Sequence, residues 1–415
     1  MKTAALAAPM WRKPFRRLWV GMSLSYAGDR LQELAQAWLV ATLTQSALAV
    51  ATIAIIAALP QFLTPLGGVI ADQVDRRRLI ITGQLVGAML TLFIGVLVYL
   101  EWISIWHVYI WAFVAGIIWL FSRPAYKVVL TQIVPTEEVR AAASINSISE
   151  TSAQVIMGVG GSILLQVVGL PIAFLLNSVS YLAGAGSLWQ LNHADMGGGE
   201  VQGGASAVRL INDLREGFRY LVAQPKLFQP LLLTCLMVLI TVPASGLLPA
   251  LVQQQGGSII SLGLLAATGS VGALLGAIYA GTHDEGDDPV RRYSYYGLAA
   301  AVAFALFAFL PIGYGTAVPF AVIGFILFTQ AVWNTSRIRL LADKSYQARL
   351  QAITTMTFTV GGAIGNLWGG LVVDWLGASA LIGGAVALAV VLIVVLLVRR
   401  RTSRLNHSKT DGLAA

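Results

Sequence analysis

Apolar residues in this chain do not alternate with polar ones. They come in runs of roughly 20 positions, the length a helix needs to cross a hydrocarbon core. Twelve runs are predicted to span, at 17–43, 46–71, 79–100, 103–122, 146–168, 170–190, 227–252, 259–281, 294–312, 317–336, 351–373 and 379–398. A membrane β-barrel would show short alternating segments instead. Breakers inside a run, such as Pro60 and Pro65, are tolerated because neighbouring helices satisfy the freed backbone groups. The longest polar stretch, 192–226, divides the runs six and six. Its first part, MGGGEVQGGAS, has the composition of a flexible linker. Its second part, AVRLINDLREGFRYLVA, sets Ile211, Leu214, Phe218 and Leu221 on one helical face, with Arg209, Asp213, Glu216 and Arg219 largely on the other. That pattern predicts a helix lying on a membrane surface.

The expectation is therefore an all-α membrane protein of twelve transmembrane helices in two pseudo-symmetric six-helix bundles. The first bundle covers residues 1–191, and a cytoplasmic linker with an amphipathic helix follows at 192–226. The second covers 227–398, and a basic tail follows at 399–415. An internal repeat supports the division. A shift of 209 positions aligns Gly67 with Gly276, Ala71 with Ala280, Arg140 with Arg349, and Gly160–Gly161 with Gly369–Gly370. Halves related by an axis along the membrane normal are a transporter architecture, with the substrate site between them near mid-membrane.

Composition agrees: 57% of residues are hydrophobic and 11% charged, with a mean hydropathy of +0.76, whereas soluble domains carry about 25% charge. The net charge of +8 would suggest nucleic acid on a soluble chain, but its location decides otherwise. All but one of the 27 lysines and arginines fall in alternate loops and the two tails. Loops rich in these residues stay inside, so both termini are expected in the cytoplasm, and no nucleic-acid partner is expected. The N-terminal MKTAALAAPMWRKPFRR lacks the apolar core and cleavage site of a signal peptide, so the first spanning helix is expected to remain. The single cysteine, Cys235, sits in an apolar run and excludes an intramolecular disulfide.

The exception to the charge rule is Arg30, which lies in the first span with Asp29 and Glu33, near the bilayer centre by helical rise. Charges at that depth normally face an interior cavity. Asp29 and Glu33 share a face at i,i+4, and Arg30 can pair with Glu33 at i,i+3. A proton-binding carboxylate and a neutralised structural pair both fit this pattern, with Asp29 the first candidate for the proton. Glu150 and Gln154 in the fifth span either line a cavity or cap a helix start. Arg123, Trp333, Asn334 and Arg337, at the ends of the fourth and tenth spans, are candidates for a substrate cavity, with cytoplasmic or interfacial anchoring as the alternative.

The short turn between the second and third spans reads GGVIADQVDRRRL. Gly68 allows close helix approach, Asp72 can meet the positive end of a facing helix, and Asp75, Arg76 and Arg77 complete an acid–base cluster. Together they predict a latch that closes the cytoplasmic side. No glycine is followed by lysine, and neither H-E-x-x-H nor G-x-S-x-G occurs. ATP hydrolysis by this chain, metal catalysis and serine-type catalysis therefore lack support, and no enzyme activity, cofactor or metal is expected.

The turn motif resembles the hallmark of the major facilitator superfamily, G-x-x-x-D-R-x-G-R-R. The stretches FRRLWVGMSLSYAGDRLQELAQAWLVATLTQSALAV, SRPAYKVVLTQIVPTEEVRAAASINS and FLLNSVSYL are similar to the clade of the enterobactin exporter and macrolide-efflux-like permeases. The resemblance is strong over 15–185 and continues to about 395. It implies alternating access in a bacterial inner membrane, action as a monomer, and export driven by the proton gradient. The cargo would be small amphipathic compounds such as drugs, siderophores or other metabolites. The alternative is an importer or facilitator of a lipid or nutrient on the same fold. Gln73 and Asp75 depart from the hallmark, and Gln154 with MGVGG replaces the proline-bearing antiporter motif of the fifth span. The second copy of the turn motif reads HDEGDD and has lost its basic pattern, with Arg291 and Arg292 following later.

Overall fold

The computed structural model describes residues 8–60, 75–191, 207–286 and 288–411. Among these the regular structure is helical throughout. The chain runs through α1 (Lys13–Thr44), α2 (Ala47–Ala58), α3 (Arg76–Tyr99), α4 (Ile105–Gln132), α5 (Val139–Val168) and α6 (Leu170–Trp189). It continues through α7 (Ala207–Ala223), α8 (Pro225–Thr241), α9 (Pro243–Gly246), α10 (Leu248–Gln254) and α11 (Ile259–Thr282). It ends with α12 (Pro289–Phe309), α13 (Tyr314–Leu341), α14 (Lys344–Leu376) and α15 (Leu381–Asp411).

Nine helices among the described residues are long and apolar enough to cross a membrane. Three predicted spans fall outside that set for visible reasons. The first lies on α1, whose length is ample but which carries Asp29, Arg30 and Glu33. The ninth lies on α12, whose opening turns hold Arg291, Arg292 and three tyrosines. The second starts on α2 and continues beyond the described residues. A count of twelve is consistent with this pattern. The predicted single span 227–252 is interrupted at Val242 and at Leu247 into α8, α9 and α10; the first interruption precedes Pro243, which has no N–H to continue the ladder.

Local chemistry explains where helices start and stop. Pro14 and Pro225 sit in first turns, where their missing N–H costs nothing. Ser46 accepts from the Ala49 amide (3.0 Å) to open α2. Asp75 accepts from the Arg77 and Arg78 amides (3.0 and 3.3 Å) to open α3. Asp288 accepts from Arg291 to open α12. Such caps contribute about 1 kcal/mol each. Gly169 and Gly377 turn the chain between α5 and α6 and after α14 with φ of 81° and 86°, a conformation only glycine adopts cheaply.

The chain divides into two compact units, Met1–Asn212 with Val252–Ala267, and Asp213–Leu251 with Thr268–Ala415. In the first unit α1 packs on α5 and α6, and α3 on α4 and α6. In the second, α8 packs on α14, and α12 on α13 and α15. The first unit's core at one end gathers Phe15, Leu18, Ile80, Tyr126, Val129 and Leu188. The second unit's core includes Leu233, Met237, Tyr293, Ile326, Trp333 and Leu392.

Candidate functional site

The first unit concentrates buried polar groups where α1, α3 and α6 meet. Gly28 of α1 lies directly against Asn177 and Ser180 of α6, and Gly21 against Ser187. A Cβ at either glycine would collide, so the two helices approach closely only because these positions are bare. That approach sets the Asp29 carboxylate against α6. The Tyr181 hydroxyl donates to Asp29 Oδ1 at 2.6 Å, and Asn177 Nδ2 lies 3.5 Å from the same oxygen. Asn177 Nδ2 also donates to Gln32 Oε1 at 2.5 Å, and Ser180 Oγ donates to Asn177 Oδ1 at 2.8 Å. Gln84 of α3 extends the seam beside Ser25 (3.4 Å) and Gly184. Gln32, Asn177 and Tyr181 are buried, while Asp29 is half-buried. In a bilayer such groups must find partners within the protein. Asp29, Tyr181, Asn177, Gln32 and Ser180 form one network, Gln84 and Ser25 pair separately, and Gln32 Nε2 is buried without a partner among the described residues.

The neighbouring charges divide. Arg30 Nη1 bonds Glu33 Oε2 at 2.6 Å, as their spacing predicts, and both side chains are partly exposed. No cation among the described residues bonds Asp29 directly, although the charges of Arg30 and Arg123 act on it. The Arg123 guanidinium lies over the Trp119 ring, 4.7 Å from its centroid. Glu150 belongs to a second cluster on the same unit. Asn146 Nδ2 donates to its carboxylate at 3.2 Å, the Tyr126 hydroxyl donates to Asn146 Oδ1 at 3.0 Å, and Tyr26 packs edge-on against Tyr126. One turn of α1 thus separates Tyr26, facing the Glu150 cluster, from Asp29, facing α6.

Of the predicted latch, Gly68 and Asp72 lie outside the described residues. Asp75 caps α3 and pairs with Arg78 at 3.4 Å. Arg76 opens the helix. Arg77 reaches the far end of α6, donating from Nε to the Leu188 carbonyl (3.2 Å) and from Nη2 to the Trp189 carbonyl (2.8 Å). A cation on the last carbonyls of a helix meets the negative end of its dipole. Arg77 therefore ties the start of α3 to the end of α6.

In the second unit Trp333, Asn334 and Arg337 of α13 are all buried. Trp333 Nε1 donates to the His283 carbonyl at 3.0 Å, and its ring sits among Tyr279, Tyr293 and Tyr296. Asn334 donates to Thr234 Oγ1 (2.9 Å) and accepts from Tyr293 (3.3 Å), and Thr234 donates to Gln330 (3.0 Å). Arg337 forms an ion pair with Glu285 and donates to the Lys226 carbonyl at 3.0 Å. These three residues hold α13 to α8, α12 and the turn after α11. They belong to the second unit, whereas Asp29 and its network belong to the first.

A family model described as transmembrane secretion effector matches residues 4–412. The chain belongs to this family of major facilitator transporters. The macrolide efflux protein A of Streptococcus pyogenes is 22% identical over 277 residues, covering 65% of this chain and 67% of that protein. Among solved structures, a bacterial homologue of the human lysosomal transporter Spinster matches with a TM-score of 0.68 at 14% identity, over 93% of this chain and 96% of that one. A bacterial homologue of the iron transporter ferroportin matches with a TM-score of 0.66 at 17% identity, over 92% and 98%. These likenesses show the fold.

Within this membrane transporter, sequence reasoning singled out Asp29 but missed its partners Asn177 and Tyr181, and Gln32, which bonds Asn177. A signal was available. Asn177, Tyr181 and Gly184 recur at helical spacing along α6, with Ser180 and Ser187 beside them, a polar and small stripe in a largely apolar helix. Glu285 was also missed, since nothing local pairs it with an arginine 52 positions later.

Proposed function

We propose that this transporter exports small amphipathic compounds, of the drug, siderophore or metabolite class, in exchange for protons. It would act as a monomer in the bacterial inner membrane with both termini cytoplasmic. The observation that carries the reading is the Asp29 carboxylate, held by Tyr181 and Asn177 while Arg30 is occupied by Glu33. An ionised carboxylate only accepts hydrogen bonds, and a protonated one also donates. Loading a proton on Asp29 therefore changes what α1 asks of α6, and the Asn177–Gln32–Ser180 network must re-pair. Coupling of this kind requires a titratable group inside a helix interface, and Asp29 is placed for it. Glu150, with Asn146, Tyr126 and Tyr26 around it, is assigned to proton or substrate access on the same unit.

The remaining roles follow the same reading. Gly68, Asp72, Asp75, Arg76 and Arg77 are assigned to the cytoplasmic latch, to which the Arg77 tie between α3 and α6 lends support. Arg123 over Trp119 offers a cation and an aromatic face for cargo, while Trp333, Asn334 and Arg337 organise the second bundle on which the cavity depends. Export is favoured by the macrolide efflux relative. The test is accumulation of a labelled macrolide in inverted vesicles carrying the transporter. Uptake that requires an acidic lumen supports proton-coupled export. Uptake only into right-side-out vesicles would instead establish an importer.

A further inference from the structure

The linker helix α7 has two functional faces, and the second has no partner among the described residues. Its inner face is clamped to the second unit. Arg349 of α14 bridges Asp213 (2.5 Å) and Glu216 (2.8 Å). Tyr220 stacks on Tyr346 with ring centroids 4.2 Å apart, and its hydroxyl donates to Asp343. Leu221 is buried with Leu227, Leu231, Ile338 and Leu350. Gly217 sits so close to Arg349 that an added Cβ would lie 2.9 Å from that side chain's Cβ. The clamp fixes the rotation of α7 and so determines what its outer face presents.

That outer face carries Arg215, Phe218, Arg219 and Val222. Phe218 and Val222 are 56% and 46% exposed, and both arginines are exposed. The sequence pattern had grouped Phe218 with Leu221, but the structure separates them: Leu221 turns into the protein and Phe218 turns away. A bulky apolar pair flanked by two arginines, next to the point where α8 begins at Pro225, has the chemistry of a membrane boundary. Apolar groups enter the acyl edge, and guanidinium groups meet phosphate.

We propose that the outer face of α7 binds the anionic headgroups of the bilayer leaflet beside it, anchoring the second unit through the Arg349 clamp. The inference rests on the chain being a membrane protein and not on the direction of transport or on Asp29. Each arginine near an anionic surface strengthens such binding roughly fivefold. The attraction falls with added salt.

The experiment uses the full chain with Cys235→Ser and Phe218→Cys, labelled with an environment-sensitive dye. It is reconstituted in phosphatidylcholine vesicles with and without phosphatidylglycerol. A second probe at Val222→Cys guards against a local defect. The expected result is quenching by brominated lipid and shielding from aqueous iodide, both enhanced by phosphatidylglycerol. That enhancement should be lost in Arg215→Gln/Arg219→Gln. Brominated-lipid quenching that ignores both phosphatidylglycerol and the arginines would overturn headgroup recognition. Full iodide access in both vesicle types would overturn membrane contact and leave the face to a soluble partner.

Discussion

Replacing Glu285 by glutamine isolates the energetics of the second unit's buried charge. Arg337 is 5% exposed and Glu285 23%, and the arginine also meets the Lys226 carbonyl and the Tyr293 hydroxyl. Removing the negative partner leaves a guanidinium enclosed by α8, α12 and α13 with no compensating charge. Breaking a buried pair from one side costs about 3–5 kcal/mol. The partial exposure of Glu285 and the hydrogen bond a glutamine can still offer move the expectation to roughly 2–3 kcal/mol. For a unit of this size that corresponds to a fall in melting midpoint of roughly 4–12 °C. The assay is supplied by the protein itself. Cys235, its single cysteine, is partly buried in α8 of the same unit, so a thiol-reactive dye reports unfolding there. The double variant Glu285→Gln/Arg337→Met removes both charges and is expected to recover most of the loss, since apolar replacement of a buried pair is near neutral. A Glu285→Gln protein that melts with the wild type would refute the reasoning. So would a double variant less stable than the single one.

Further predictions concern separate contacts. Gly217→Val forces a branched side chain onto Arg349, an overpacking cost of about 1–3 kcal/mol. Tryptic cleavage at Arg215 and Arg219 should accelerate roughly tenfold as α7 lifts, while unchanged cleavage would mean the clamp is not what holds the helix. Asn177→Ala leaves Gln32 Oε1 without its buried donor, while Ser180 keeps its bond to the backbone carbonyl of residue 177, at a cost of about 1–3 kcal/mol; a melting midpoint equal to wild type would show that water or lipid replaces the amide. Arg77→Lys keeps the charge but loses the fork that reaches two carbonyls at once. It is expected to behave like Arg77→Ala in melting, and full stability in the lysine variant would reduce the contact to simple charge.

How much was legible depends on range along the chain. The spans were readable because each helix must carry its own apolar run, and the Arg30–Glu33 pair was readable because its spacing is local. The structure adds what lies across helices: Tyr181 and Asn177 meet Asp29 about 150 positions away, and only the bare surface of Gly28 allows it. The two faces of α7 were misgrouped because periodicity shows which residues share a side but not which neighbour covers it. Arg349 pairs with Asp213 and Glu216 although their side chains stay 41% and 59% exposed, so acidic residues that read as a solvent face also make the contact to α14. The break at Pro243 lay in plain view, but proline inside a membrane span signals either a kink or a stop, and the run of apolar residues continues past it.

Proton release from inverted vesicles on addition of a transported compound, compared between wild type and Asp29→Asn, tests the central claim most directly. Lipophilic cations, macrolides and catecholate chelators form the panel. Asparagine preserves the size of the side chain and one acceptor for Tyr181 but cannot carry a proton. The account predicts a substrate-driven proton flux in the wild type that disappears in Asp29→Asn while substrate binding persists. A flux that survives the substitution would contradict it and return Asp29 to a structural role in the contact between α1 and α6.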